Sequence, residues 1–178
     1  MWKNREFTIP SEVQPEVTAK YHCYYRSIVD CIAFLIGHRP FRRNIVYSPV
    51  REYEAENARS FHELHTADWW WDTQDRLPEG STVVPIILAS DKTLLTQHHG
   101  DQVAWPIYIT IGNLVSETRR SPLRPSTLLL GFLPIPSQEF SSYKRPLYHL
   151  AMATILERKC LALLIFVCCI MKSLLIVR

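Results

Sequence analysis

Apolar positions recur at helical spacing between Tyr21 and Gly37, through Tyr25, Ile28, Val29, Ile32, Ala33, Leu35 and Ile36. Gly37 followed by His38-Arg39-Pro40 supplies a stop signal, so the pattern predicts a helix over about 22–37. Residues 1–20 are polar with scattered proline and read as a flexible arm or loop. A second helix is predicted over about 57–76, where Phe61, Leu64, Ala67, Trp70 and Trp71 are spaced to share a face. Leu77-Pro78-Glu79-Gly80 ends it with turn residues.

The pattern then changes period. Three apolar runs follow, at about 82–89 (β-branched), 105–111 (aromatic and β-branched) and 127–134 (mostly leucine). Pro85 is awkward inside the first, because proline cannot donate to a ladder, and it predicts a bulge or an unpaired side there. Gly112-Asn113 closes the second. The links are short enough for neighbouring antiparallel strands, so 82–134 read as a three-stranded meander. A helix is expected from about Leu147. The fold class is therefore α/β, an antiparallel meander preceded and followed by helices.

Composition adjusts this picture only slightly. The 178 residues suit one domain and are 47 % apolar and 21 % charged, ordinary globular usage. A net charge of +3 permits nucleic-acid contact without arguing for it. The five cysteines form no C-x-x-C pair, which leaves free, buried thiols of a reducing compartment as the simplest reading. The first residues contain no apolar core of a signal peptide.

Asp91 is the leading candidate for chemistry. It directly follows the apolar run Ile86-Ile87-Leu88-Ala89-Ser90, where a carboxylate is held rigidly by a buried strand while its head reaches solvent. Such an acid suits Mg²⁺, which prefers a few carboxylates plus waters and phosphate oxygens. The plainer reading is an aspartate that caps a turn. Arg119, Arg120 and Arg124 form a small basic cluster that suits phosphates or is simply a solvated loop. His62-Glu63-Leu64-His65 is one residue short of the H-E-x-x-H zinc helix and reads better as a polar helix face. Trp69-Trp70-Trp71 point in different directions on a helix, which favours anchoring over base stacking. His98-His99 reads as a loop pair.

Several stretches resemble the Plavaka transposases: His65 to Gln74, Leu77 to Thr93, Gly100-Asp101, Ala104 to Asn113 and Arg119-Arg120. The likeness runs from about Tyr21 to about Leu156. It implies a ribonuclease H-like core, whose first catalytic acid sits on the first strand of a three-stranded meander. That role falls on Asp91, as a ligand of the Mg²⁺ or Mn²⁺ ions used in DNA cleavage and strand transfer. Asp101 matches a family aspartate and is read as a turn residue. DNA is the implied partner of intact relatives, and no small-molecule substrate is implied.

The resemblance divides the chain into an arm (1–20), a helical lead-in (21–80), the start of the ribonuclease H-like domain (81–157) and an apolar tail (158–178). The tail contains no Asp or Glu and falls outside the likeness. One carboxylate cannot hold two ions about 4 Å apart. The expectation is a truncated, transposon-derived remnant of the nucleus or cytoplasm, without tightly bound metal and without activity. Two alternatives remain open to the sequence. One is a tail-anchored membrane protein that uses 160–177, where Lys172 is the single charge. The other is a domesticated DNA-binding module.

Overall fold

The computed structural model describes residues 1–10, 18–55, 58–96, 102–156 and 168–169. The chain opens with an antiparallel pair, β1 (Trp2–Pro10) and β2 (Thr18–Arg26), in register from Trp2 opposite Arg26 to Pro10 opposite Thr18. Helix α1 (Ile28–Gly37) begins where the Ser27 hydroxyl accepts the Asp30 amide at 3.3 Å, an N-cap. A small hairpin follows, β3 (Glu52–Ala55) with β4 (Ala58–Ser60). A 3₁₀ turn at Leu64–Thr66 leads into α2 (Asp68–Gln74).

Next come β5 (Ile86–Ser90), a second small hairpin of β6 (Thr93–Leu94) and β7 (Val103–Ala104), and β8 (Pro106–Ile111). Helix α3 (Ser116–Arg120), β9 (Leu128–Phe132), α4 (Lys144–Leu156) and β10 (Cys168–Cys169) complete the series.

The main sheet has the order β1-β2-β9-β8-β5-β10. Its centre is the expected meander: β5 pairs antiparallel with β8, and β8 with β9. Pro85 lies one residue before β5, outside the ladder, and its carbonyl accepts the Gly112 amide at 2.7 Å. Strand β10 runs parallel to β5, Cys168 opposite Ile87. A parallel return needs a long crossover, and the stretch carrying α4 supplies it.

Alternate residues of the strands make one core. Phe7, Ile9, Cys23, Tyr25, Ile86, Leu88, Ile107 and Ile109 cluster with Ile28 and Cys31 of α1 and with Leu147, Ala151 and Ile155 of α4. Each fully buried aliphatic side chain there contributes about 1.5–3 kcal/mol. A second, smaller cluster gathers Leu35, Phe41, Ile111 and Leu114 at the far end of β8.

Two glycines stand where backbones meet closely. A Cβ on Gly131 would lie 2.7 Å from the Tyr24 carbonyl oxygen, a backbone atom that cannot swing away, so only glycine lets β2 dock on β9. A Cβ on Gly112 would lie 2.9 Å from the ring of Pro85.

The departures from sequence expectation fall mostly in the first half. Within the supposed arm, Trp2–Pro10 and the start of β2 are paired strand, and the helix expected from 22 begins at Ile28 because 18–26 are strand. In those residues Ala19, Tyr21, Cys23 and Tyr25 alternate and meet the core. The helix expected over 57–76 shrinks to α2, preceded by strand and a 3₁₀ turn. The final helix starts three residues early, at Lys144.

No helix among the described residues is long and apolar enough to cross a membrane. The apolar tail lies outside the described residues except for Cys168–Cys169, which are strand rather than helix. Cys23 and Cys31 are free and buried, as expected of reduced thiols. Burial pushes the Cys23 thiol up to about 11, so it stays protonated and unreactive.

Candidate functional site

Asp91 follows the last residue of β5 and is exposed. The strand beneath it is held against β8. Ser90 pairs with Ile107, and the Ser90 hydroxyl donates to the Pro106 carbonyl at 2.8 Å. The Asp91 carbonyl accepts the Thr93 hydroxyl at 3.5 Å, a weak turn contact. The carboxylate is thus carried on a rigid base at the mouth of a central strand.

What it lacks is company. Among the described residues, no three His, Cys, Asp or Glu side chains gather so as to hold a metal ion. Asp101, His98 and His99 lie outside the described residues. A lone exposed carboxylate does not meet the needs of a two-ion centre. Two open clefts, of about 370 and 450 Å³, flank α1 and share Phe34, and neither includes Asp91.

The arginine cluster separates into two kinds. Arg119 turns inward. Its guanidinium lies 3.2 Å from the Glu63 carboxylate and donates to the Leu114 carbonyl, and its side chain is only 18 % exposed. Arg120 and Arg124 are exposed, and Arg124 reaches the Asn44 side-chain oxygen at 3.3 Å.

Glu63 is therefore no solvated helix residue. Its side chain is 8 % exposed and accepts the Ser116 amide at 2.6 Å at the start of α3. Burial raises its pKa, but the Ser116 hydrogen bonds and the Arg119 charge together outweigh that and hold the carboxyl below its ordinary value. Neighbouring His65 is buried against Trp70, and burial lowers its pKa. The H-E-L-H segment is a structural joint between the lead-in and α3.

The three tryptophans behave as anchors. Trp70 is fully buried, Trp69 lies 5.7 Å from it, and Trp71 lies under the Arg51 guanidinium at 4.8 Å. Asn113, also buried, donates to both the Val46 and Val83 carbonyls, at 2.9 and 3.0 Å, and so ties three segments at the end of β8.

Fold and site together define a mixed α/β protein whose central antiparallel sheet presents one carboxylate at a strand mouth. The chain belongs to the Plavaka transposase family, whose model matches residues 1–162. The match extends the likeness read from sequence at both ends and takes in the β1–β2 pair and α4. No curated protein and no solved structure matches the chain.

Proposed function

We propose that the chain is a ribonuclease H-like transposase core in which Asp91 is the first metal-binding carboxylate, and that by itself it does not cut DNA. The observation that carries this reading is the place of Asp91, at the exit of the first strand of the β5–β8–β9 meander. In intact relatives that acid would help hold Mg²⁺ or Mn²⁺, which activates the attacking hydroxyl and acts on DNA. The same geometry supports the reading of inactivity. Parallel pairing sends β10 out at the edge where Asp91 stands, and residues 170–178, next in the sequence, contain no Asp or Glu. Adjacent strands lie about 4.8 Å apart, so that exit is a natural place for a second ligand.

The test is paramagnetic line broadening by Mn²⁺ on the labelled full chain. Broadening is expected to be strongest at the amides of Ser90, Asp91 and Lys92, to need roughly millimolar ion, and to disappear in Asp91→Asn. Broadening centred elsewhere, with none at 90–92, would remove Asp91 from the metal-binding role.

A further inference from the structure

The exposed arginines near α3 are not the whole of the basic surface. Arg39, Arg42 and Arg43 are also exposed, on the turn that follows α1. That turn and the α3 segment are about eighty residues apart in sequence but joined in space. The Asn44 side chain contacts Arg124, the Asn44 carbonyl accepts the Val115 amide at 3.2 Å, and Ile45 bridges Leu114. Phe41, fully buried against Leu35, Ile111 and Leu114, pins the arginine turn in place. The backbone that carries these arginines is therefore fixed in place, although each exposed side chain still loses rotamer freedom when it meets a ligand.

We propose that Arg39, Arg42, Arg43, Arg120 and Arg124 form one surface that grips the phosphate backbone of duplex DNA. The charge distribution supports it. These five arginines and Glu117, also exposed, sum to +4 where the whole chain is +3, so the rest of the molecule is slightly negative. Arg119 is excluded, because Glu63 already neutralises it. Guanidinium forks suit phosphate oxygens, and basic residues clustered on one face are the electrostatic footprint of backbone binding.

The surface is separate from Asp91. It adjoins the Ile111 end of β8, which pairs with Ile86, whereas Asp91 follows Ser90 at the opposite end of β5. Four residues of strand put about 14 Å between the two ends. The platform therefore anchors DNA away from the carboxylate rather than presenting the phosphate to be cut. It rests on the transposase reading only for the choice of DNA, and it needs neither metal nor Asp91.

The experiment is fluorescence anisotropy of a labelled duplex with the full chain in EDTA, from 50 to 200 mM salt. Five phosphate contacts predict a log–log slope near −4.5 and a loss of about 500-fold in affinity across that range. The double variant Arg42→Ala, Arg43→Ala is expected to reduce the slope by about two, and Arg120→Ala, Arg124→Ala likewise. The control pair Arg5→Ala, Arg145→Ala, exposed arginines on β1 and α4, and Asp91→Asn should leave it unchanged. Unaltered circular dichroism and melting show that each variant is folded. The proposal is overturned if the control pair lowers the slope as much as the platform pairs. It is also overturned if no binding is seen at 50 mM salt, or if polyglutamate of equal charge competes as well as duplex. Binding that survives while Mn²⁺ broadening at Asp91 is absent would remove the metal-site reading alone. The reverse pattern would remove the platform alone.

Discussion

Replacing Glu63 by alanine is expected to destabilise the protein by about 3–5 kcal/mol and to lower its melting temperature by roughly 10 °C. The loss has two physical sources. The Ser116 amide is left without its acceptor at the start of α3, and the half-buried Arg119 keeps its charge without a counter-charge. Glu63→Gln should cost less, because its side-chain oxygen still accepts the Ser116 amide while only the ion pair is lost. The pH dependence separates the variants. The Glu63 carboxyl titrates below its ordinary value of 4.5, so its contribution is fully present above that value. It falls away as pH drops through the lower, folded value, where the folded carboxylate takes up its proton. Acid unfolding of the wild type should thus be steeper below 4.5 than that of Glu63→Gln, by denaturant titration at stepped pH.

Trp70→Ala is expected to cost about 3–5 kcal/mol, in line with other large-to-small changes at fully buried sites. Trp70 is 0 % exposed and packs edge-on to His65 and beside Trp69. Its indole nitrogen has no hydrogen-bond partner, so Trp70→Phe gives up volume but relieves a buried donor and should be distinctly milder. Chemical denaturation measures both. A tryptophan used for stacking on bases would show the opposite pattern, with affinity for single strands lost and stability kept.

The meander was legible from sequence because its strands are continuous apolar runs at the centre of the sheet, closed by Gly112-Asn113 and Pro134, although the first was read from 82 and begins only after Pro85, which stands outside the ladder. Asp91 was found for the same reason: it is the first charge after such a run. The opening strands were not legible. Their exposed positions carry Lys3, Arg5, Glu6, Lys20 and His22, which mask the alternation of Phe7 with Ile9 and of Cys23 with Tyr25. Tyr21 and Tyr25 also fit a helical spacing continued from α1, and only the Ser27 cap marks where strand gives way to helix. The lead-in misled for a tertiary reason. Glu63, His65 and Thr66 look like polar helix residues, yet all three are turned inward on a 3₁₀ turn, where Thr66 and Glu63 cap each other. The basic platform escaped notice because its halves are distant in sequence, although Arg39-Pro40-Phe41-Arg42-Arg43 is the densest basic stretch of the first sixty residues.

These pieces give the molecule two ends with different chemistry. One end of the sheet carries a carboxylate on a rigid strand, with no metal-holding cluster around it among the described residues, and the other a cluster of exposed arginines with little opposing charge. On the proposed reading, the arginine end would hold DNA, while a single carboxylate would not meet the needs of the paired ions that cutting requires. The direct test is to incubate the purified chain with supercoiled and linear duplex DNA in Mn²⁺ and follow strand breaks on a gel. The account predicts intact DNA at every ion concentration, identical for wild type and Asp91→Asn; nicking by the wild type that Asp91→Asn abolishes would contradict it.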